Sequence, residues 1–368
     1  MSSLIVEVCK IDQIVEHPNA DRLEIAVVKG WQTVVGKGQH KIGDECIYIP
    51  IDSILPPKLE EYLFPPDSKI KLEKSRVRSI RIRQAVSQGM IITATPELEE
   101  RFPGILKKKV GEDVAELLGI TKFEPPEYSI PGKMRARQIT HNNPVFSKYT
   151  DIENIKHFPN LFEPEDEIYV TEKVHGTSAR YAILPTHIWG LWKRLKKWLH
   201  ISSKYEFCYG SRNVQLQAKK NLYYAKDVYA IIARQLNIKS LLRPGETLFG
   251  EIVGDGIQKG YVYDCGKEEW KFVAYDIKDE RGYLSSEAFI KECDARGIPR
   301  VPVIYQGQLK HIDLNALSKG HSLLAKNLPI REGIVIKPRF ETITYMGRKV
   351  LKYLNDDYLL IKDTTDFH

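Results

Sequence analysis

The first 95 residues alternate short apolar runs with turn-forming residues. Pro18-Asn19-Ala20, Gly36-Lys37-Gly38 and Pro56-Pro57 interrupt the apolar pattern. Between such turns, runs rich in Val, Ile and other β-formers predict strands at 4–9, 24–28, 31–35, 46–51, 76–82 and 89–94. Several short strands at this spacing are typical of a small closed barrel, for which the OB-fold is a common solution. We therefore expect an N-terminal OB-fold β-barrel.

The pattern changes after about residue 150. Strands are predicted at 167–172, 179–184, 247–253, 271–277 and 333–337, and helices at 224–236 and 285–296. Ser285 can cap the second helix and Gly297 can end it. This mixture predicts an α+β domain. The Pro- and Gly-containing stretch 122–148 reads as a linker, so we expect domains at 1–121 and 149–368.

Charge adds two local features to this outline. The chain has 55 basic and 48 acidic residues, a net charge of +7. Two stretches carry the excess: 69–84 has 7 basic and 1 acidic residue, and 185–205 has 5 basic and none acidic. Local basic patches are typical of contact with a polyanion, although two solvated faces would show the same composition.

Cysteine usage and hydropathy bear on the compartment. The five cysteines include no C-x-x-C pair, which argues against a zinc ribbon and a secreted disulfide framework. No N-terminal signal segment and no apolar run of about 18 residues is present. We expect a soluble intracellular protein, cytoplasmic by default, with no membrane partner.

The candidate chemistry centres on Glu172-Lys173-Val174-His175-Gly176-Thr177. The lysine directly follows a predicted strand, which would hold its side chain rigidly, and the glycine would let a ligand approach the backbone. A lysine can act as a nucleophile where neighbouring cations or desolvation favour its neutral form. The alternative is an ordinary solvated lysine before a turn.

Further polar residues follow in predicted strands. Carboxylates stand in or before apolar strands at Glu251 and Glu332, and burying them is costly unless they bind a partner. A buried salt bridge would also explain each of them. The remaining segments of interest are Tyr209–Asn213 with Arg212, the aromatic strand Phe272–Ile277, and Lys349 with Lys352.

Together these six segments resemble, in order, the motifs of the covalent nucleotidyltransferase superfamily, which includes ATP-dependent ligases and RNA capping enzymes. His175-Gly176-Thr177, where DNA ligases and capping enzymes usually have Asp-Gly, is similar to the RNA ligase 2-like group. With an OB domain ahead of it, the chain resembles the RNA ligase family known from Deinococcus and Naegleria, sometimes called family 5. The resemblance implies an ATP-grasp-like ligase domain. Separately, Ile14–Leu23 resembles the tRNA-binding OB module of some aminoacyl-tRNA synthetases.

The resemblance implies a three-step reaction on ATP. Lys173 would attack the α-phosphate and keep AMP covalently, AMP would pass to an RNA 5′-phosphate, and an RNA 3′-hydroxyl would then displace it. Lys352 and Lys349 would neutralise the phosphates; their spacing of three residues, where two is usual, leaves Arg348 as an alternative to Lys349. Glu332 would bind Mg²⁺ or Mn²⁺.

The other implied roles concern the nucleotide and the RNA. His175 would act around or after adenylation, Gly176 would lie by the nucleotide, and Arg212 would contact the ribose or the RNA end. Glu251 would bind the ribose hydroxyls, Phe272 would stack on adenine, and Glu172 would help to position it. Relatives often have Asn where this chain has Ser178, which bears on contact with the RNA 3′ end.

Two basic segments are candidates for RNA contact. Arg76 and Arg78 would share one strand face, as would Arg81 and Arg83, and this row suits phosphates; solvation or a bridge to acidic residues of the other domain are alternatives. The insert 187–200 predicts an amphipathic helix that packs with a solvated basic face, contacts RNA or lies on a membrane.

The expected partner is RNA with 3′-hydroxyl and 5′-phosphate ends, as a nicked duplex, bound by a monomer without an obligate protein partner. Two alternatives stay open: another lysyl-nucleotidyltransferase, such as a DNA ligase or a capping enzyme, and a non-catalytic RNA- or tRNA-binding protein.

Overall fold

The chain divides into two structural units. A computed structural model describes residues 4–68, 71–123, 143–186, 204–216, 226–328, 330–361 and 364. The first unit comprises Met1–Glu127, Ile152–Leu161 and Leu354–His368, and the second comprises Tyr128–Asp151 and Phe162–Tyr353. Most of the predicted linker and the whole basic insert 187–200 lie outside the described residues. The domain bounds predicted from the sequence stay a prediction beside this division.

The first unit is built from short strands and a few short helices. Its strands are β1 Glu7–Lys10, β2 Gln13–Glu16, β3 Leu23–Val28, β4 Trp31–Gly36, β5 Glu45–Ile49, β6 Ser53–Ile54, β7 Ile80–Ile82, β8 Ala85–Ser87, β9 Met90–Ile92, β10 Thr121–Lys122 and β11 Glu153–Asn154. Its helices are α1 Pro57–Leu63, α2 Pro96–Arg101, α3 Ala115–Leu118 and, in the C-terminal segment, a helix at Asp356–Leu359.

Antiparallel pairing of these strands encloses an apolar core. β1 and β9 flank β5 in one sheet, and β2, β3 and β4 form a meander. Val8, Ile47 and Leu59, among others, are buried in the core. The predicted strands at 24–28, 31–35 and 46–51 correspond closely to β3, β4 and β5, because alternating β-branched residues specify a strand with one buried face.

The predicted strand 76–82 is wrong in its first half. Only Ile80–Ile82 forms a strand, and the conformations of Lys74 and Ser75, with φ of 57° and 56°, precede an irregular segment. Arg76 is therefore not part of an exposed arginine row. It is 7% exposed and donates through Nε to Asp52 Oδ1 at 2.9 Å, while its guanidinium lies 3.8 Å from the Phe123 ring centroid. This burial favours a structural ion pair, and RNA contact by Arg76 stays a prediction.

The second unit contains longer strands. They are β12 Glu167–Lys173, β13 Thr177–Pro185, β14 Tyr205–Ser211, β15 Gln215–Leu216, β16 Thr247–Gly254, β17 Trp270–Asp279, β18 Gly282–Tyr283, β19 Val303–Gln308, β20 Gly333–Pro338, β21 Ile343–Thr344, β22 Gly347–Arg348 and β23 Leu351–Leu354. Its helices are α4 Val228–Gln235, α5 Ile238–Leu241, α6 Ser286–Arg296 and α7 Leu314–Ser318. The C-terminal helix Asp356–Leu359 of the first unit is α8.

Two sheets dominate this unit. One has the order β15-β14-β13-β16-β17-β18, and the other contains β23-β20-β12-β19. Buried side chains of the first sheet, including Tyr181, Leu248 and Ile277, pack with α4 and α6 residues in one core. The prediction of α6 is confirmed: Ser285 Oγ accepts the Ala288 N–H at its start, and Gly297 ends it with φ of 65°.

The described helices are short. Among the residues that the structure describes, no helix is long and apolar enough to cross a bilayer.

Removing Arg76 tests the structural interpretation of this residue. Arg76→Ala should lower the free energy of unfolding by about 3–5 kcal/mol, because the variant breaks a buried ion pair with Asp52 by removing one of its two members. Arg76→Met combined with Asp52→Asn should recover much of the loss, since Asn also accepts the left-handed conformation of position 52 (φ of 67°). Urea unfolding followed by circular dichroism measures both; equal losses in the single and double variants would contradict the ion pair.

Candidate active site

The turn Val174–Gly176 passes the chain from one sheet of the second unit to the other. β12 ends at Lys173 and β13 begins at Thr177. In the antiparallel register Lys173 pairs with Gly333, and Ser178 pairs with Glu251. This pairing brings the residue before β20, Glu332, next to Lys173, and it aligns the turn with Glu251. The lysine Lys173 and the two carboxylates Glu251 and Glu332 therefore meet at one place.

Glu332 is the buried centre of this group. Its side chain is inaccessible to solvent, and its Oε1 accepts a 2.6 Å hydrogen bond from Lys173 Nζ. The second oxygen, Oε2, is buried without a hydrogen-bond partner in the described part of the chain. A buried carboxylate oxygen with a spare acceptor site suits a hard divalent cation such as Mg²⁺ or Mn²⁺. Glu332 thus offers one oxygen to the predicted metal, while the described residues gather no group of three or more His, Cys, Asp or Glu side chains that could hold an ion by themselves.

His175 lies on the far side of the same carboxylate. Its Nδ1 is 3.7 Å from Glu332 Oε2, and its ring contacts the Tyr261 ring edge-on at a centroid distance of 4.8 Å. Burial lowers the pKa of His175, which the Glu332 carboxylate opposes and the Lys173 charge reinforces. The imidazole is therefore disposed to be neutral near pH 7, able to accept or donate one proton.

Glu251 faces this group from β16. Burial raises the pKa of Glu251 to about 8, although Lys173 opposes the rise. A protonated carboxyl can both donate and accept hydrogen bonds, so it can pair with a hydroxyl that acts either as acceptor or as donor. Gly176 leaves no room at this contact, since a Cβ there would meet Ile252 O at 2.3 Å and Glu251 Cγ at 2.8 Å. The predicted glycine is thus needed for close packing of the turn.

The loop 255–269 holds this turn in place, and sequence reasoning missed it. Tyr263 Oη accepts the His175 N–H at 2.8 Å, and Gln258 Nε2 donates to Gly176 O at 2.9 Å. Tyr263 and Asp264 adopt φ of 50° and 55°, a costly conformation for residues with side chains. Asp264 in turn accepts the Lys326 N–H at 2.6 Å. In the sequence, the closely spaced tyrosines of Gly260–Gly266 were the signal that could have identified this loop.

Two predicted nucleotide contacts lie elsewhere. Glu172 points to the opposite face of β12 from Lys173. It is 1% exposed, and its carboxylate accepts hydrogen bonds from Ser322 Oγ and from Leu323 N at 2.7 Å. Phe272 pairs with Ile252, one position from Glu251, and so points to the core face, where its ring contacts Gly250 and the edge of Tyr181. Neither side chain is brought to the Lys173 group.

The two candidates for the second cation at the phosphates, Lys349 and Arg348, both form ion pairs. Lys349 Nζ contacts Asp166 Oδ2 at 2.5 Å. Asp166 precedes β12, about 20 Å of strand from Lys173 at its other end. Arg348 donates to Glu341 and, at 2.9 Å, to Asp276. These ion pairs favour a structural role for Lys349 and Arg348, and the phosphate contact of either residue stays a prediction. Lys352, 1% exposed on β23 next to β20, is the other lysine predicted to neutralise the phosphates.

Asp276 gathers a buried cluster that the sequence did not indicate. It accepts hydrogen bonds from Tyr149 Oη at 2.8 Å, Lys337 Nζ at 2.8 Å and Arg348 Nη1 at 2.9 Å. Although burial favours the neutral acid, Lys337 and Arg348 hold the pKa of Asp276 below its usual value. The cluster ties β17, β20 and β22 together, which stabilises the two sheets that carry the site.

The remaining predicted residues lie nearer the surface. Arg212, after β14, pairs with Asp151, and its charge also opposes the rise in the pKa of Glu251, which places it beside the site. In the first unit, Arg78 pairs with Glu73 at 3.2 Å and Arg81 pairs with Asp357 at 2.7 Å. Arg83 is exposed at a hairpin turn. RNA contact by these three arginines remains a prediction.

Comparison with known proteins gives the context of this site. A family model described as RNA ligase matches residues 166–354, and an OB-fold domain model matches residues 5–94. The chain is similar to the solved Naegleria gruberi RNA ligase with PPi, at 26% identity and a TM-score of 0.68, covering 97% of this chain and 98% of that one. A variant of that enzyme with ATP and Mn has 26% identity and a TM-score of 0.70, covering 96% and 98%. No curated protein matches the chain.

The predicted fold class is confirmed by these matches. The first unit carries the OB-fold and the second the α+β domain with the Lys173 group.

Tyr263→Phe tests the loop that holds the turn. Loss of the hydroxyl would leave the partly buried His175 N–H without this acceptor, so the free energy of unfolding should fall by about 1–3 kcal/mol. Urea unfolding and amide hydrogen exchange at His175 measure the effect. Tyr345→Phe, at an 85% exposed side chain, is the control and should change neither. Unchanged protection of the His175 amide in the Tyr263 variant would contradict the contact.

The raised pKa of Glu251 predicts that the stability of the folded chain depends on pH. Since its folded pKa is raised to about 8 from 4.5, the folded chain holds a proton that the unfolded chain releases between these pH values. This contribution to stability is therefore lost as the pH rises toward 8. The melting temperature of the wild type, relative to Glu251→Gln, should fall from pH 5 to pH 8 and then level off. A constant difference across that range would rule out the raised pKa.

Proposed function

The chain belongs to the RNA ligase family and is an ATP-dependent RNA ligase, and we propose that it works through a lysyl-adenylate on Lys173. The observation that carries this proposal is the contact of Lys173 Nζ with Glu332 Oε1 at 2.6 Å, beside a buried carboxylate oxygen with a spare acceptor site. Because Lys173 is at the end of a rigid strand, its Nζ is held in one orientation, as a nucleophile requires.

In the first step Lys173 Nζ would attack the α-phosphate of ATP, forming the N–P bond as the bond to pyrophosphate breaks. Lys173 must first lose a proton, for which the hydrogen-bonded Glu332 carboxylate is the nearest acceptor. The buried ammonium of Lys352 would stabilise negative charge that develops on the phosphates. A divalent metal held by Glu332 would supply further neutralisation of phosphate charge.

The residues around the turn would bind the nucleoside and the RNA ends. Glu251, with its pKa raised to about 8, would hydrogen-bond to the ribose hydroxyls as a neutral acid. Arg212 would contact the ribose or the RNA 5′ end. AMP would then pass from Lys173 to the RNA 5′-phosphate, and the 3′-hydroxyl would displace AMP to form the phosphodiester bond. His175, whose pKa is lowered by burial, would serve these later proton transfers.

We further propose that the substrate is a nicked RNA duplex and that the chain acts as a monomer. The cysteines at positions 9, 46, 208, 265 and 293 are free thiols, which supports a reducing, intracellular location. Membership of the RNA ligase family argues against the capping, DNA ligase and non-catalytic alternatives.

Labelling with α-³²P-ATP tests the lysyl-adenylate. Incubation with Mn²⁺ or Mg²⁺ should transfer label to the protein, and Lys173→Ala should abolish it, because the nucleophile is gone. Lys352→Ala should slow labelling by about 10²-fold or more, as expected for loss of a group that stabilises developing charge.

Lys349→Met is the matched control for the second lysine. Its ammonium pairs with Asp166, so labelling should stay within a few-fold of the wild type. Label that persists in Lys173→Ala, or label obtained from GTP and not from ATP, would overturn the proposal.

A further inference from the structure

The hairpin turn between β7 and β8 has an unfavourable sequence for its shape. Ile82 pairs with Ala85, so Arg83 and Gln84 form a two-residue turn, and their φ angles are 44° and 75°. Two positive φ values define a type I′ turn, for which Asn-Gly is strongly preferred. Residues with a Cβ atom are strained at positive φ, so Arg83 and Gln84 raise the free energy of this turn. Strained residues of this kind tend to occur at functional sites.

A neighbouring loop supports the strained turn. His17 is 7% exposed; its Nε2 donates to Ile82 O at 3.0 Å, while its Nδ1 accepts the Asn19 N–H at 3.1 Å. Asn19 Nδ2 then donates to Arg83 O at 3.3 Å and to Gln84 Oε1 at 3.2 Å. The His17-Pro18-Asn19 segment thus holds the backbone of the turn and leaves the Arg83 side chain outside.

A third loop joins the same rim of the first unit. Lys37 N donates to Arg22 O at 3.0 Å, where β3 begins beside the end of β4. Val34 N donates to Ser87 Oγ at 3.1 Å, and Gln88 N donates to Gln32 O at 2.7 Å. β8 therefore runs beside β4, and its Arg83–Gln84 end approaches the Lys37 end of β4. The loops 17–22, 36–41 and 83–84 converge on one end of the barrel.

The cations on this rim differ from the others that were expected to contact RNA. Arg22, Lys37 and Arg83 are exposed, and within the described residues none of them forms an ion pair. Arg76, Arg78 and Arg81, in contrast, each pair with a carboxylate. Carboxylates also lie near this rim: Asp21 is exposed, and Glu24 accepts the Gly38 N–H and keeps its negative charge opposite Glu16. None of these carboxylates forms an ion pair with Arg22, Lys37 or Arg83 within the described residues.

We propose that these three loops form a phosphate clamp for the RNA substrate, with Arg83 at its centre and Arg22 and Lys37 beside it. Unpaired, exposed cations gain from releasing the counterions of a polyphosphate backbone, whereas paired arginines must first give up a partner. The strained turn keeps an arginine at the tip in place of the residues that the backbone would favour. The clamp rests on the proposed function for the identity of its ligand as RNA.

Binding of a nicked RNA duplex at several salt concentrations tests the clamp. The variant Arg22→Ala/Lys37→Ala/Arg83→Ala should bind about 10-fold or more weakly near 0.1 M salt. Its plot of log K against log salt should be shallower by about 2–3, since each lost phosphate contact removes about 0.7–0.9 from the slope. Lys107→Ala, at an exposed lysine elsewhere in the same unit, should retain the wild-type affinity and slope.

A second variant separates RNA contact from a structural role of the turn. Arg83→Asn/Gln84→Gly gives the preferred type I′ sequence, so the melting temperature should rise while RNA affinity falls several-fold. A variant that is more stable and still binds RNA like the wild type would overturn a contact by Arg83. The phosphate clamp would also be contradicted if the triple variant kept the wild-type affinity for RNA and the wild-type salt dependence.

Failure of the proposed function is separately visible. Labelling of Lys173 by ATP does not require RNA, and both clamp variants should label at the wild-type rate. If the wild-type protein binds RNA through these cations but is not labelled by ATP, the lysyl-adenylate is contradicted and the phosphate clamp is still supported.

Discussion

The site depends on one pairing in an antiparallel sheet, that of Lys173 with Gly333. Lys173 and Glu332 are 159 residues apart in the chain, and this register sets their side chains 2.6 Å apart. A slip of one residue would move Lys173 to the opposite face, because side chains alternate along a strand. The apolar residues of β12 and β20, such as Ile168, Val170 and Ile336, fix the register by their burial, so the core determines the chemistry.

Charged groups of the second unit fall into two classes by whether their partners are complete. Asp276 accepts three hydrogen bonds through Oδ2, and its charge is compensated by Lys337 and Arg348, so this group serves the structure. Glu332 keeps a buried oxygen without a partner among the described residues, which is costly in the absence of a ligand. The loop with Tyr263 and Asp264 also adopts an unfavourable conformation to hold the adjacent turn. Incomplete pairing and strain thus coincide at the site, as expected where binding rather than stability is served.

Sequence patterns predicted what depends on neighbours in the chain. Short-period alternation located β3, β4 and β5, and the cap at Ser285 with the stop at Gly297 located α6. The order of motifs located Lys173, Glu251 and Glu332. What the sequence did not show depends on contacts between distant residues: the pairing of Arg76 with Asp52, of Lys349 with Asp166, and the side of the sheet that Phe272 faces. A single sequence shows that a cation is present and does not show which carboxylate is near it.

The same distinction gives meaning to the net charge of +7. A cation held by a carboxylate adds little to the attraction of a polyanion, because the pair is neutral beyond a Debye length and must be broken before it binds. The arginine-rich segment 74–83 has four arginines, yet three of them are paired within the fold. The cations available to RNA are therefore fewer than composition suggests, and they come from loops distant in sequence. Charge density along a chain is a weak guide to a binding surface, whereas unpaired cations that the fold brings together identify one.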